Sequence, residues 1–155
     1  MKQHVAKVAL SVFALAGGIV PNASAAISRT HGAAFHAYNA SEVTSIDYLT
    51  SGARNISGSN RYAIAAVDFV PEFSWSGTGY FWVEGYLASG SIMFTTYAYT
   101  GTGTLVKSVN NTHTVSGNFS IPMQMSGMSV DDYVSCLAYM PANSGTLIYG
   151  VLSAN

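Results

Sequence analysis

The sequence has few charged residues. Of its 155 residues, six are Lys or Arg and seven are Asp or Glu, so charged side chains make up 8% of the chain, against roughly 25% in ordinary soluble proteins. A nucleic-acid-binding protein needs clustered basic side chains to neutralise phosphates. The formal net charge of −1 and the scattered basic residues therefore predict no nucleic-acid partner.

Cysteine is almost absent, because Cys136 is the single one in the sequence. One cysteine excludes an intramolecular disulfide and any zinc site built from several cysteines. Its free thiol has three interpretations: an inert buried side chain packed between Val134 and Ala138, an intermolecular disulfide, or a catalytic nucleophile. We favour the first, since a reactive thiol needs a cationic or His partner and no cysteine-protease motif is present.

A long apolar run occurs only at the N-terminus. Positively charged Lys2 and Lys7 precede the apolar stretch Val8–Val20, and Ala23–Ala25 supplies the small residues of a signal-peptidase site. This order predicts a secretory signal peptide over residues 1–25. No later run is long enough to span a bilayer, so we expect a mature chain that has no transmembrane anchor and is extracellular, periplasmic or bound to the cell surface.

The remaining residues, 26–155, predict a single all-β domain. No helical periodicity is visible after residue 30, and short β-branched and aromatic runs alternate with Gly, Ser and Asn clusters. This pattern is typical of a two-layer antiparallel β-sandwich, jelly-roll or immunoglobulin-like, with 8–9 strands. The candidate strands are Ala33–Tyr38, Thr44–Leu49, Arg61–Phe69, Gly79–Leu87, Ser91–Tyr99, Thr104–Val109, Thr114–Ile121, Asp132–Met140 and Thr146–Ser153. The breaks between them, including Asn110–Asn111, carry turn residues.

Alternation within the strands predicts which side chains form the core. In the strand that ends at Met140, Val134, Cys136 and Ala138 share one small apolar face, which we expect to point inward. The strand Ser91–Tyr99 alternates in the same way. We expect a core packed around Trp82, Phe94 and Val134.

Several short segments resemble small secreted β-sandwich proteins of environmental proteobacteria, including myxobacteria. The resemblance lies in Gly52–Asn55, Tyr62–Ala65, Val134–Leu137, Pro141–Asn143 and Leu147–Gly150. It implies a β-sandwich and no established activity. Members of this group usually carry four cysteines, and the matching positions here are His36, Ala65, Phe94 and Cys136. Three of the four are replaced, so the group's disulfides are not expected in this chain.

Motifs for catalysis, cofactors and metals are missing. The sequence contains no Gly-x-Ser-x-Gly elbow, no nucleotide-binding glycine motif and no zinc-binding His-x-x-x-His. Asp131 and Asp132 are weak candidates for calcium, because no Asp-x-Asp-x-Asp loop supports them. We therefore predict no catalytic residues, no cofactor and no metal. The alternative is a small extracellular hydrolase that uses dispersed carboxylates or the histidines His31, His36 and His113.

An aromatic cluster around residues 73–86 is the one candidate ligand site. Alternation places Tyr80, Trp82 and Glu84 on one face of a strand, with Trp75 in the preceding loop. Exposed rings would form a platform on which sugars stack, and the carboxylate would bind hydroxyls. The competing interpretation, which we favour here, is that Trp82 is the large core residue of the sandwich.

These observations predict a secreted, non-catalytic β-sandwich protein that acts through its surface. That role would be structural, self-associating or glycan-contacting, with a polysaccharide or another copy of the chain as partner. Low charge leaves strand edges without the Lys residues that discourage edge pairing. Val151–Ser153 is one candidate edge.

Overall fold

The computed structural model describes residues 27–67, 78–129, 132–143 and 145–154. The predicted signal peptide, Trp75 and Asp131 lie outside the described residues. The described residues form two short 3-10 helices, Gly32–Ala34 and Ala40–Ser45, and eleven strands. The strands are β1 (Ile27–His31), β2 (His36–Ala37), β3 (Ile46–Leu49), β4 (Gly52–Asn55), β5 (Arg61–Ala66), β6 (Thr78–Leu87), β7 (Ile92–Tyr99), β8 (Leu105–His113), β9 (Gly117–Ser126), β10 (Tyr133–Met140) and β11 (Leu147–Ala154).

The strands form two antiparallel sheets. The six-stranded sheet has the order β3-β4-β11-β6-β9, with β1 also paired to β11, and the five-stranded sheet has the order β2-β5-β10-β7-β8. From β4 onward, neighbours in one sheet therefore run 4-11-6-9 and in the other 5-10-7-8, which is the strand order of a jelly roll. The predicted all-β sandwich is confirmed, although with eleven strands in the described residues rather than 8–9.

The core lies between the two sheets and follows the period-two alternation. Phe81 and Val83 of β6, Phe94 of β7 and Cys136 of β10 are completely buried, and Val134 is 4% exposed. The face predicted to point inward from β10 is thus confirmed, as are Phe94 and Val134. The expectation for Trp82 is wrong. It points outward from β6 with Tyr80 and Glu84, and its side chain is half-buried against the sheet surface.

Two strand predictions and one turn prediction need correction. The candidate strands that begin at Ala33 and at Thr44 start inside 3-10 helices and become extended only at His36 and Ile46. The candidate turn Asn110–Asn111 lies within β8. Asparagine is unfavourable in strands, but here Asn110 Nδ2 donates to Thr95 Oγ1 (3.1 Å) and Asn111 Nδ2 donates to the Pro122 carbonyl (3.3 Å).

The predicted edge at Val151–Ser153 is also wrong. These residues belong to β11, which pairs with β6 on one side and with β1 and β4 on the other. Its backbone groups are therefore engaged on both sides. The edge of the five-stranded sheet opposite β2 is β8, where Leu105 and Val106 are exposed.

Candidate functional site

The candidate site lies on the outer face of the six-stranded sheet, where β6 is flanked by β9 and β11. Alternation along β6 buries Phe81 and Val83, so the residues between them face away from the core. Tyr80, Trp82 and Glu84 consequently project from the same face. This places three of the four predicted platform residues together.

Tyr80 and Trp82 hold their rings parallel to each other on this face, and we call them the ring pair. Their ring centroids are 6.0 Å apart and their planes differ by 19°. Trp82 stands opposite Leu152 of β11 and Pro122 of β9 in the register, so apolar neighbours flank it on both sides. Tyr80 is 41% exposed. The ring pair therefore offers aromatic area that is held on a strand rather than on a loop.

A hollow of about 310 Å³ opens beside the ring pair, over β1, β11 and β6. Its lining includes Arg29, His31, Glu84, Tyr149, Gly150 and Leu152. Gly150 lies between His31 on β1 and Glu84 on β6. The pairing of β11 with β6 shifts register between Ile148 and Gly150, and the missing side chain at Gly150 leaves the space between its two neighbours open.

Gly150 is required by the close approach of β1. A Cβ built at this position would collide with the Thr30 carbonyl oxygen. The same arrangement recurs at Gly32 and Gly52, where a Cβ would collide with the Ile148 carbonyl oxygen. Three glycines therefore permit the backbones to pack closely where the hollow forms.

His31 forms a fixed wall of the hollow. Its Nδ1 accepts a hydrogen bond from the Ala33 backbone N–H (3.0 Å), which caps the first 3-10 helix. Its Nε2 lies 3.1 Å from the Thr50 carbonyl oxygen. Since Nδ1 is the acceptor, Nε2 carries the proton and donates it to Thr50. Both ring nitrogens are thus engaged in holding the local backbone.

Arg29 and Glu84 carry the charges of the hollow. Among the described residues neither forms an ion pair or a side-chain hydrogen bond. Other charged side chains do so: Asp47 accepts from Arg54 Nη2 at 2.8 Å and from its Nε at 3.0 Å. The guanidinium of Arg29 and the carboxylate of Glu84 are therefore available to a ligand in the hollow.

The groups considered for catalysis do not come together. His31 faces outward from the six-stranded sheet and His36 outward from the five-stranded sheet, while the ring of His113 packs against Phe119 at 5.2 Å between centroids. Asp132 is buried and accepts from the Ser129 backbone N–H (2.8 Å). Within the described ranges, no three His, Cys, Asp or Glu side chains form a group that would hold a metal ion.

Cys136 lies in the core on β10, completely buried. Burial raises the pKa of its thiol to about 12, and this outweighs the opposing effect of the neighbouring Thr96 hydroxyl. Because the thiolate is the reactive form, a protonated thiol inside the core is inert. The surroundings of Cys136 thus support its interpretation as an inert, buried side chain.

We expect Cys136 to be unreactive in the folded protein. A thiol reagent such as dithionitrobenzoate should label it only in denaturant, and non-reducing gels should show no disulfide-linked species.

Burial of the Cys136 thiol should also make the free energy of unfolding fall at alkaline pH. The unfolded chain releases the thiol proton near its ordinary pKa and the folded chain does not, so stability decreases as the pH rises above about 9. Cys136→Ala should lose less stability over that range, whereas rapid labelling of the native protein would contradict the interpretation.

The protein is thus a jelly-roll β-sandwich that carries an aromatic surface beside a charged hollow. No family model matches the sequence, and no curated protein matches it. Among solved structures, the chain is similar to the CBM36-1 domain of a multidomain xylanase from the hindgut metagenome of Trinervitermes trinervoides, with 10% identity, a TM-score of 0.47, and coverage of 84% of this chain and 97% of that domain. It is also similar to a carbohydrate-binding module CBM36 in complex with calcium and xylotriose (11% identity, TM-score 0.46, 83% and 99% coverage). The assignment of the fold rests on the sheet order described above.

Proposed function

We propose that this protein is a secreted, non-catalytic module that contacts glycans through the ring pair and the adjoining hollow. The observation that carries the proposal is the parallel pair of rings, Tyr80 and Trp82, next to charged side chains that have no partner among the described residues. The apolar faces of sugar rings stack on aromatic planes, while carboxylates and guanidinium groups bind their hydroxyls. A concave site with a few polar groups beside aromatic rings is the usual form of a small-ligand site.

The hollow favours binding over hydrolysis. Glycoside hydrolysis generally needs two carboxyl groups, about 5–9 Å apart, on either side of the scissile bond. Among the described residues that line the hollow, Glu84 is the single carboxylate. His31 is committed through both nitrogens to backbone groups, so it is not free to act as a base. The described residues therefore supply one of the two acids that a hydrolase would need here.

The two rings and the carboxylate have separate roles in this proposal. Trp82 and Tyr80 provide stacking area, which is insensitive to the identity of the sugar. Glu84 accepts hydrogen bonds from sugar hydroxyls, and Arg29, across the hollow, donates them or pairs with a sugar carboxylate. The rings would therefore supply most of the affinity, and the charged pair would supply the preference between neutral and acidic glycans.

Binding of the purified protein to a panel of soluble and insoluble polysaccharides tests the proposal. We expect Trp82→Ala to weaken retention on the bound polysaccharide by about tenfold or more, since loss of one stacking ring removes on the order of 1–2 kcal/mol. Glu84→Gln, which keeps the shape of the side chain, should weaken it several-fold. Tyr48→Ala is the control, because it removes another aromatic side chain, 43% exposed, from β3 of the same sheet.

Two outcomes would overturn the proposal. One is that the wild-type protein binds no member of a broad panel. The other is that it binds and that Trp82→Ala binds equally well. Release of reducing sugar from a bound polysaccharide, abolished by Glu84→Gln, would instead support the hydrolase alternative.

A further inference from the structure

A second surface, on the opposite side of the molecule, is distinct from the candidate glycan site. Six tyrosines lie on the outer side of the five-stranded sheet or beside it, and we call this surface the tyrosine face. Its members are Tyr38, Tyr62, Tyr97, Tyr99, Tyr133 and Tyr139. Tyr133 is 66% exposed and Tyr38 is 58% exposed.

The tyrosines form two groups at opposite ends of the sheet. In one group Tyr62 contacts Tyr139 with centroids 4.6 Å apart and Tyr38 at 6.4 Å. In the other, Tyr97 and Tyr99 stack at 6.1 Å, and Tyr133 stands opposite Tyr99 in the register. The surface between the groups is uncharged: Ile64 of β5 lies beside Leu137 of β10, and Leu137 lies beside Thr95 of β7.

The tyrosine face carries no Lys, Arg, Asp or Glu at the outward positions of its five strands, all of which are described. These strands contain two such residues, Arg61 and Lys107. Arg61 stands opposite buried Met140 and Lys107 opposite buried Ala98, so both occupy the inward register near the strand ends. A face without charged side chains is complementary to a partner surface that is also uncharged.

The relief of the face differs between its two groups of tyrosines. The planes of Tyr62 and Tyr139 differ by 40°, and those of Tyr38 and Tyr62 by 61°. The planes of Tyr97 and Tyr99 differ by 27°, close to the 19° of the ring pair on the other sheet. The tilted rings of the first group produce ridges and grooves, which suit interdigitating side chains.

We propose that the tyrosine face binds the tyrosine face of a second copy of this chain, forming a symmetric dimer. In a two-fold dimer the same surface meets itself, so any charge on it must find an opposite charge in its own copy. A face without charges meets its copy with no repulsion. Tyrosine adds apolar area together with a hydroxyl that can bond across the interface.

The area of the face is sufficient for such a dimer. Four strands about 4.8 Å apart and eight residues long cover roughly 20 Å by 25 Å, about 500 Å² before side-chain relief is counted. A standard interface buries about 800 Å² per partner. Side-chain relief raises the accessible area above the flat value, so the face approaches the size of a standard interface. The dimer would leave the ring pair and the hollow exposed on its two outer sides.

Sedimentation or light scattering of the purified protein over a range of concentrations tests the dimer. We expect the wild-type chain to sediment as a dimer, and Tyr62→Glu and Tyr133→Glu to raise the dissociation constant by about 100-fold or more, since each places uncompensated charge in the interface. Both side chains point to solvent in the monomer, and unchanged unfolding midpoints at low concentration would verify that the variants fold. Tyr48→Glu, on the other sheet, should leave the dimer intact.

Three results would overturn the inference. The first is a wild-type chain that stays monomeric up to about 100 μM, well above the dissociation constant of a stable interface. The second is a dimer that survives both glutamate substitutions but is lost in Val106→Lys, which would indicate pairing through the edge strand β8. The third is a monomer whose retention on a neutral polysaccharide depends on Tyr62 and Tyr133. A monomer that still needs Trp82 for glycan retention would leave the proposed function standing.

Discussion

Phe94→Ala is expected to lower the free energy of unfolding by about 3–5 kcal/mol. Phe94 is completely buried on β7, and its ring lies 5.8 Å from that of Phe119. Phe119 belongs to the six-stranded sheet and Phe94 to the five-stranded sheet. The substitution therefore removes a contact that joins the two layers and leaves a cavity that neither sheet can close without moving.

Trp82→Ala is the matched comparison, because it removes a larger side chain from the outside of the sandwich. We expect it to cost less than about 1.5 kcal/mol, since a half-buried ring leaves no internal cavity. Denaturant unfolding of both variants at one fixed protein concentration measures the difference, and fixing the concentration keeps any dimerisation constant. A larger loss for Trp82→Ala than for Phe94→Ala would place the tryptophan in the core and would contradict the structure.

Gly150→Ala is expected to destabilise the protein by about 2–3 kcal/mol. The added methyl group would meet the carbonyl oxygen of Thr30, a backbone atom that cannot move without displacing β1 from β11. The hollow should change shape together with the pairing of the two strands. We therefore expect weaker retention of any glycan bound there, in addition to a lower unfolding midpoint.

Gly58→Ala is the control for this effect. A Cβ at Gly58 would meet no atom within 4 Å, and the residue lies in the loop between β4 and β5. The same change from glycine to alanine should therefore leave stability within about 0.5 kcal/mol of the wild-type value. Equal stability of the two alanine variants would show that β1 accommodates the methyl group, and would remove the structural role assigned to Gly150.

Most of what the sequence predicts about the two sheets comes from the alternation of inward and outward side chains along each strand. Cys136 and Val134 point inward because a period of two admits only one apolar face in β10. The same rule placed Trp82 on one face with Glu84, and a carboxylate on that face argues for the solvent side. The expectation that Trp82 is a core residue was based on the size of its side chain and not on alternation. In the structure, the core is filled instead by Phe81, Phe94 and methionines such as Met123.

Strand order and the hollow depend on contacts between distant segments. β1 was missed because it directly follows the predicted leader, and its pairing joins Ile27 to Ala154. β4 was missed because Gly52 is typical of a turn, whereas here the glycine allows close approach to Ile148. The hollow around Gly150 exists only once β1 and β6 flank β11. No local pattern in the sequence indicates that arrangement.

The place of β11 has a consequence for how the chain acquires its structure. This strand is the last of the eleven strands in the described residues and holds three of them, β1, β4 and β6, by backbone hydrogen bonds. Before residues 147–154 emerge from the ribosome, β1 lacks its pairing partner, and no strand of the described sheet joins the hairpin β3-β4 to the pair β6-β9. Assembly of the six-stranded sheet must therefore wait for the last strand to be synthesised. With this strand order, the six-stranded sheet stays open along β11 until residues 147–154 are available to pair.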